Sequence, residues 1–406
     1  MKYQLKYLII IFISLGIIDA SIAQIDENNS KPRNPNQMQL PSGDGTLDKQ
    51  KSHLVTTRST TINAKTSLTL NFPDDFRSID GSNNNLVNTD WGQAEISFIR
   101  LANVNYLDGA YVMDNTLPSP RLISNICHSM PINTQIDTPN VSDMLWQWGQ
   151  FLDHDITLSP EVTPAEDAEI HVPLGDAWFD PNSEGNKIIS FGRSSYTTDT
   201  QSIRQQTNAI TAYIDASNVY GSDTIRASAL RTNDNSGKLK TSAGNLLPFN
   251  TDGIPNAPSA DASFFLGGDF RANEQIGLTS MHIVFVREHN RLAEKISIEQ
   301  PELSGEEIYQ HARALVAAQM QVITYNEFLP LLLGNKIPDY SGYKPNINAS
   351  ISNEFATAAY RFGHTMLSPQ ILRLDENGNE AQHGHVALRD AFSSQVKLVN
   401  TVSKAC

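Results

Sequence analysis

One stretch of the sequence combines groups that could move protons and bind a cation: Trp146 to Thr157, which reads WQWGQFLDHDIT. On a helix, Gln150, Asp153 and His154 fall at positions i, i+3 and i+4 and project from one side. Asp155 is turned roughly 100° away from the histidine. An amide, a carboxylate and an imidazole can therefore share one pocket, while a second carboxylate is left to bind something else.

The alternative for this stretch is an ordinary charged helix end that faces water. Apolar side chains around the polar set argue against it. They are Trp146, Trp148, Phe151, Leu152 and Ile156. A helix with these neighbours is expected to be buried on several sides, and buried charge must be paired, hydrogen-bonded or bound to a metal.

Length and composition exclude several classes of function. With 406 residues, of which 39% are hydrophobic, the chain can bury a sizeable core in one large domain or two. Its net charge of −14 disfavours nucleic acid or an anionic membrane surface as a partner. The sequence contains no Gly-rich phosphate loop before Lys and Ser or Thr, no His-Glu-x-x-His and no Cys-x-x-Cys. The common nucleotide and zinc sites are thereby excluded.

The N-terminal residues predict secretion. Two lysines precede an apolar run of about a dozen residues, and small residues permit cleavage before Gln24. We therefore expect a signal peptide at residues 1–23 rather than a membrane anchor, which needs about 20 apolar residues. No later segment is long and apolar enough to span a bilayer. Residues 24–60 are polar and lack periodicity, which predicts a flexible leader.

Two later segments have the period of amphipathic helices. The first, beginning near Thr279, carries Met281, Val284, Phe285, Leu292 and Ile296 on one face. The second carries Ile308, Ala312, Leu315, Val316 and Ile323, after a capping box of Ser304 and Glu307. No alternating strand pattern of comparable length occurs. The sequence therefore predicts a mainly helical chain with long loops and little β structure.

The run from Trp148 to Asp155 resembles the distal-histidine segment of animal-type haem peroxidases, especially the peroxinectin and peroxidasin branch. The resemblance runs from about Phe76 to Leu374. It includes residues 267–275, GGDFRANEQ, which resemble the catalytic-arginine segment, and residues 358–366, AAYRFGHTM, which resemble the proximal-histidine segment. It implies a haem peroxidase domain over residues 61–406, with the haem between a distal and a proximal helix.

On the distal side the resemblance assigns three catalytic residues. His154 is the base that moves a proton between the peroxide oxygens, and Arg271 is the fixed cation that stabilises the departing oxygen. Gln150 is the amide that borders the distal pocket and contacts halide or water. Standing alone, Arg271 is equally typical of a surface arginine in a Gly-rich loop.

Four further residues are implied to bind haem b. Asp153 and Glu274 match the carboxylates that form ester bonds to the haem, whereas Gln275 replaces a Met that forms a third bond in some members. His364 matches the axial ligand of the iron, and Arg361 matches a residue near a haem propionate.

The proximal segment is predicted to be a helix with a packing face. That face carries Phe355, Ala359, Phe362 and Met366. A lone histidine on such a helix is also typical of a hydrogen-bonded core residue.

Residues 211–222, TAYIDASNVYGS, resemble the calcium loop of the same family. The implied ligands are Thr211, the Tyr213 carbonyl, Asp215, Ser217 and, from the distal helix, Asp155. All are hard oxygen donors of the kind that calcium prefers. The alternative is an Asx or Ser turn before Gly221.

The resemblance implies a secreted enzyme that reduces hydrogen peroxide and oxidises halide, pseudohalide or phenolic donors. Three alternatives stay open: a catalytically impaired fragment, an adhesion protein of the peroxinectin type, and a fatty-acid dioxygenase. The dioxygenase is disfavoured because Arg361, not Tyr360, stands three residues before His364, where cyclooxygenases have a radical tyrosine. Only 42 residues follow His364 and the family's asparagine segment is not among them, so we expect the C-terminal part of the domain to be missing. The oligomeric state and the pairing of Cys127 and Cys406 stay open.

Overall fold

A computed structural model of the chain describes residues 76–128, 141–375 and 377–392. The predicted signal peptide and flexible leader, residues 1–23 and 24–60, lie outside the described residues.

Helices supply most of the regular structure. In chain order they are α1 (Pro120–Cys127), α2 (Met144–Ile156), α3 (Ser217–Tyr220), α4 (Thr224–Leu230), α5 (Ile276–Glu299), α6 (Gly305–Ile323), α7 (Leu329–Leu333), α8 (Asn353–Thr357) and α9 (Leu388–Ala391). A π-helical turn, Thr324–Phe328, continues α6, and 3₁₀ helices span Gly334–Lys336 and Ala359–Met366. Within the described residues, none of these helices has both the length and the apolar character needed to cross a bilayer.

The strands are short. They are β1 (Ile96–Ser97), β2 (Ile170–His171), β3 (Ile188–Ile189), β4 (Tyr196–Thr198), β5 (Arg204–Asn208), β6 (Gln370–Ile371) and β7 (Val386–Ala387). They form an antiparallel sheet in the order β1-β5-β4 and two antiparallel pairs, β2-β3 and β6-β7. The prediction of a mainly helical fold with little β structure is confirmed.

Helices α5 and α6 pack against each other and form much of the core. The predicted face of α5 is buried except at Val284, which is exposed because it lies at the edge of that face, about 60° from Met281 and about 100° from Phe285 around the helix. Helix α5 begins at Ile276 rather than near Thr279, since Gln275 caps it. On α6, Ile308, Ala312 and Val316 are buried, whereas Leu315 and Ile323 are half-buried against the same core.

The predicted start of α6 is confirmed. The Ser304 hydroxyl accepts from the Glu307 N–H, and the Glu307 carboxylate accepts from the Ser304 N–H at 2.8 Å. This reciprocal pair satisfies two backbone donors that the first helical turn leaves unpaired.

The prediction of a continuous proximal helix is wrong. Helix α8 ends at Thr357, because the backbone of Ala358 (φ −129°, ψ −64°) leaves the α region, and a 3₁₀ helix follows to Met366. In a 3₁₀ helix side chains repeat every three residues, so a face spaced at 3.6 residues does not form. No residue of Ala359–Met366 is fully buried. A helix also forms at Pro120–Cys127, a segment that has no helical pattern in the sequence. Its first residue is a proline, which is favourable in the first turn of a helix.

A histidine of the long helix α5 is part of the packed core. His289 on α5 is fully buried: its Nδ1 accepts from the Tyr220 hydroxyl at 2.9 Å, and its Nε2–H donates to the Gly237 carbonyl at 2.9 Å. Burial lowers the pKa of His289 to about 4. The neutral imidazole is therefore the form that the fold accommodates.

This histidine predicts a pH-dependent stability. Between its usual pKa of about 6.5 and its folded pKa of about 4, the unfolded chain binds a proton that the folded chain does not. The free energy of unfolding should therefore fall as the pH drops through this window, and His289→Gln should reduce that slope by up to about 1.4 kcal/mol per pH unit. Urea titrations at pH 7.5, 6 and 5 measure this. The exposed His383→Gln serves as control, and an unchanged slope in His289→Gln would contradict the prediction.

Candidate active site

The predicted distal helix is α2, and it is buried as expected. The Trp148 and Phe151 rings pack on each other with centroids 5.9 Å apart, and Phe285 of α5 stacks on Phe151 at 5.2 Å. Asp153, His154 and Asp155 are themselves buried. The alternative of a solvated helix end is thereby excluded.

Two buried asparagines fix the C-terminal end of α2. The Asn218 amide donates to the Phe151 carbonyl at 2.7 Å, and the Asn208 amide donates to the Ile156 carbonyl at 2.9 Å. The Ile156 carbonyl is among the last four of the helix, which have no partner within it, so the Asn208 amide hydrogen-bonds a group that would otherwise be buried without one. The two asparagines hold His154 in place relative to α3 and β5.

His154 and Arg271 meet at one carboxylate, that of Asp269. The His154 Nδ1 lies 3.5 Å from Asp269 Oδ1. The Arg271 guanidinium donates from Nε to Asp269 Oδ1 and from Nη2 to Oδ2, both at 2.9 Å. A further bond from Arg271 Nη2 to the Thr157 carbonyl, 2.8 Å long, attaches the arginine to the end of α2. The structure therefore brings His154 and Arg271 to the same carboxylate.

The electrostatics of this triad favour a neutral imidazole and an ionised carboxylate. Burial lowers the pKa of His154 well below its usual value, and the Arg271 cation lowers it further. Burial opposes ionisation of Asp269, but the Arg271 cation holds the pKa of that carboxyl well below its usual range. The ring of His154 is thus able to accept a proton beside a cation that stays charged.

The two predicted haem-linking carboxylates lie at the same site. Glu274 Oε2 is 3.7 Å from His154 Nε2. Burial raises the pKa of Glu274, while the Arg271 cation acts against that rise. Asp153 Oδ1 accepts from the Thr157 hydroxyl at 2.9 Å, and its Oδ2 accepts from Arg361 Nη1 at 2.9 Å.

The proximal segment contacts the distal helix directly. Besides the Arg361–Asp153 ion pair, the Tyr360 hydroxyl donates to the Gly149 carbonyl at 2.9 Å. His364 is exposed and makes no hydrogen bond within the described residues. Segments about 200 residues apart are therefore adjacent, although Arg361 here binds a carboxylate.

The predicted calcium ligands also come together. Asp155 points away from His154, and its carboxylate accepts from the Ser217 hydroxyl at 3.1 Å and from the Asn218 N–H at 3.1 Å. The Asp215 carboxylate accepts from the Thr211 hydroxyl at 3.0 Å. These four implied side-chain ligands are buried in one place, next to the catalytic helix.

The predicted calcium ligands carry unbalanced negative charge. Burial raises the pKa of Asp155 well above its usual value, and the neighbouring Asp215 raises it further. Burial likewise raises the pKa of Asp215, with Arg313 acting in the opposite direction. No group of three or more His, Cys, Asp or Glu side chains suited to a metal occurs among the residues described. The predicted calcium ligands include two carboxylates, and their other oxygens come from hydroxyls and the Tyr213 carbonyl. That carbonyl accepts a hydrogen bond from the Asp215 N–H at 3.0 Å.

Sequence reasoning missed three residues that build the site. Asp269 lies within the arginine segment, where a carboxylate two residues before a candidate catalytic arginine is a usable signal. Asn218 was part of the calcium loop, and its contact with α2 spans 67 residues, which periodicity cannot show. Gln147, three residues before Gln150, contacts Gln275 at 2.7 Å.

Comparison with known proteins identifies the family. The model of the animal haem peroxidase family matches residues 76–405. The chain belongs to this family. The match extends beyond Leu374, where the motif resemblance ends.

Relatives and solved structures agree with this assignment. The mouse peroxidasin homolog is 36% identical over 381 residues, and Drosophila melanogaster peroxidasin is 36% identical over 375 residues, covering 81% and 80% of this chain. Those alignments cover 25% and 24% of the two relatives, so the chain spans about a quarter of their length. The structure of peroxidase A from Dictyostelium discoideum superposes with a TM-score of 0.74 at 32% identity, covering 82% of this chain and 67% of that one.

A fatty acid alpha-dioxygenase from Oryza sativa has the same fold. It superposes with a TM-score of 0.62 over 81% of this chain and 58% of its own, at 21% identity. Identity at this level shows a shared fold only.

The side chains on the distal side suit a haem. His154 Nδ1 is buried and has no hydrogen-bond partner among the described residues. It lies beside the fixed cation Arg271 and two carboxylates, Asp153 and Glu274. His364 offers an exposed imidazole on the segment that Arg361 attaches to the distal helix. The residues of this chain therefore fit the cofactor that family membership implies.

Proposed function

We propose that this chain acts as a secreted haem peroxidase, which reduces hydrogen peroxide and oxidises a small donor: a halide, a pseudohalide or a phenol. The observation that carries the proposal is the buried triad in which His154 and Arg271 share the Asp269 carboxylate. Family membership supports haem and peroxide as reactants. The N-terminal pattern at residues 1–23 supports secretion.

His154 is the proton carrier in this proposal. Its lowered pKa keeps the imidazole neutral, so that it accepts a proton from hydrogen peroxide and donates the same proton to the departing oxygen. The next residue, Asp155, accepts hydrogen bonds from Ser217 and Asn218, which holds the helix end that carries His154.

Arg271 is the electrostatic partner. Its guanidinium is held by two bonds to Asp269 and one to the Thr157 carbonyl, so it needs no reorganisation when negative charge develops nearby. The guanidinium stays protonated at any physiological pH.

The cofactor would be haem b, held by His364 as axial ligand and by Asp153 and Glu274 as ester-forming carboxylates. When bound, the haem supplies the redox centre at which peroxide is reduced and the donor oxidised. Arg361, which pairs with Asp153 here, would be the cation available to a haem propionate. Gln150 borders the space where the donor enters.

Calcium would bind between Asp155 and the loop of α3. Thr211, the Tyr213 carbonyl, Asp215 and Ser217 complete an all-oxygen set of the kind that calcium prefers. The cation would balance two buried carboxylates whose pKa values burial raises. It would also hold the helix that carries His154.

The dioxygenase alternative has less support. Arg361 occupies the place of the radical tyrosine, and the Tyr360 hydroxyl is hydrogen-bonded to the Gly149 carbonyl of α2. An adhesive role and an impaired fragment stay alternatives, which the next experiment separates from catalysis.

A histidine variant tests the peroxidase. In haem-reconstituted protein, His154→Ala should lower the rate constant for reaction with hydrogen peroxide by roughly 10²–10⁴-fold, because the proton transfer loses its base. Stopped-flow absorbance at the Soret band measures this rate. His383→Ala, which removes an exposed histidine far from α2 in sequence, should leave it unchanged. A chain that takes up no haem, or equal rates in both variants, would refute the proposal.

Metal removal tests the calcium site. Chelator-treated protein should unfold at lower urea than protein in excess calcium, with a gain of about 4 kcal/mol when free calcium is about 1,000 times its Kd. Asp215→Asn should abolish most of this gain, since the set loses one of its two carboxylates. Asp199→Asn, in an exposed turn, should retain it. An equal response to calcium in both variants would rule out the assigned ligands.

A further inference from the structure

A network of two tyrosines, two arginines and a glutamate lies outside the candidate active site. It joins β4 and β5 to the loop segments around Tyr111 and Glu166. The Tyr111 hydroxyl lies 2.8 Å from Glu166 Oε1 and 2.8 Å from the Tyr196 hydroxyl. The Arg204 side chain is fully buried, whereas the two tyrosines are half-buried. The proposed function gives these groups no role.

Glu166 is held as an ionised and oriented proton acceptor. Its Oε2 accepts from Arg204 Nη1 at 2.5 Å, and Arg193 Nη1 lies 3.4 Å from the same oxygen. The hydrogen bond from Arg204 lowers the pKa of Glu166, so the carboxyl is ionised near neutral pH. The two arginines therefore occupy one carboxylate oxygen and leave Oε1 for Tyr111.

The protons of the two hydroxyls can be assigned from this carboxylate. An ionised carboxylate only accepts hydrogen bonds, so Tyr111 uses its single proton to donate to Glu166. The bond between the two hydroxyls must then be donated by Tyr196 to the Tyr111 oxygen. The hydrogen bonds to Tyr196 and Glu166 raise the pKa of Tyr111 to about 12, so Tyr111 is a neutral phenol at physiological pH.

This arrangement suits the one-electron oxidation of a phenol. A phenol that loses an electron becomes a strong acid, so its oxidation is far easier when a base accepts the proton in the same step. Glu166 is such a base, at hydrogen-bond distance from Tyr111. The products are a neutral phenoxyl radical on Tyr111 and a protonated Glu166. The radical oxygen keeps the hydrogen bond that Tyr196 donates.

A strand connects the network to the distal helix. Strand β5 begins at Arg204 and ends at Asn208, whose amide donates to the Ile156 carbonyl at 2.9 Å. Tyr196 pairs with Gln206 in the middle of the same strand. Four residues of a strand span about 13 Å. The network therefore lies within the length of one short strand of helix α2.

We propose that Tyr111 is a redox-active tyrosine, which gives one electron to the oxidised haem and its proton to Glu166 when no external donor is present. The inference rests on the proposed peroxidase function, in which hydrogen peroxide supplies the oxidising equivalents. Hydrogen peroxide takes up two electrons in becoming water, and Tyr111 returns one of them to the haem. The O–H bond of Tyr111 breaks and an O–H bond forms on Glu166. An external donor later returns the electron, and Glu166 returns the proton.

Electron paramagnetic resonance tests this proposal on haem-containing protein. The sample is frozen after addition of one equivalent of hydrogen peroxide without a donor. Wild-type protein should give a tyrosyl radical signal, and Tyr111→Phe should lose it because the oxidisable hydroxyl is gone. Tyr340→Phe, which removes the hydroxyl of a tyrosine that is 88% exposed, should keep the signal.

Tyr196→Phe is the matched control within the network. It removes one hydroxyl of the same pair and leaves Glu166 as the proton acceptor, so the radical should still form. The largest g value of the radical, measured at high field, should rise because the Tyr111 oxygen loses the hydrogen bond from Tyr196. A tyrosine pair that only stabilised the fold would not change the g value of a radical.

A measurement on the wild-type full chain needs neither a variant nor peroxide. Flash-generated tris(bipyridine)ruthenium(III) removes one electron from a tyrosine, and a nitroso spin trap marks the oxidised residue for tandem mass spectrometry. The trap should mark Tyr111 rather than the more exposed Tyr340, because Tyr111 has a proton acceptor in place. This labelling decides the point even if a variant fails to fold.

The outcomes separate this inference from the proposed function. A radical signal that is unchanged in Tyr111→Phe, or lost equally in Tyr111→Phe and Tyr196→Phe, overturns the inference. A spin-trap adduct on Tyr340 in place of Tyr111 does the same, as does the absence of a tyrosyl signal from wild type whose Soret band responds to peroxide. A Soret band that peroxide leaves unchanged refutes the proposed function instead, and the photochemical labelling then judges Tyr111 by itself.

Discussion

Burial of the Asp269 carboxylate is the constraint on which the candidate site depends. A charge that leaves water without a partner costs several kcal/mol, so this carboxylate must stay paired wherever it is enclosed. Both oxygens of the carboxylate accept hydrogen bonds from the Arg271 side chain, and one of them also accepts from the Arg271 backbone N–H at 2.8 Å. Since the same arginine is bonded to the Thr157 carbonyl, satisfying one buried charge fixes the cation relative to the helix that carries His154.

Asn218 connects the Asp269 segment and the distal helix to the predicted calcium loop. Its N–H donates to Asp155, its side-chain amide donates to the Phe151 carbonyl, and its own carbonyl accepts from the Asp269 N–H at 3.0 Å. The two backbones approach so closely that a Cβ at Gly268 would lie 2.3 Å from the Val219 carbonyl carbon. Only glycine is compatible with that approach. A cation bound at Asp155 would therefore stabilise both the catalytic helix and the segment that holds the arginine.

Local features of this chain could be predicted from the sequence, because they depend on residues within a few turns. The separation of His154 from Asp155 by about 100° around the helix follows from helical geometry alone, and the capping box at Ser304 follows from four residues. Contacts between distant segments could not be predicted in this way. The Asp269–His154 contact, the Arg361–Asp153 ion pair and the 3₁₀ conformation at His364 all depend on how loops fold back on the helices. The family motifs identify residues of the site, but not the residues that each of them contacts.

The central claim is that His154 and His364 occupy different sides of one haem, with His364 on the iron. The most direct test is resonance Raman spectroscopy of the ferrous haem-containing protein, which detects an iron–histidine stretch. We expect His364→Gly to lose this band and added imidazole to restore it, whereas His154→Ala keeps it. Persistence of the band in His364→Gly without imidazole would show that another residue binds the iron and would contradict the account.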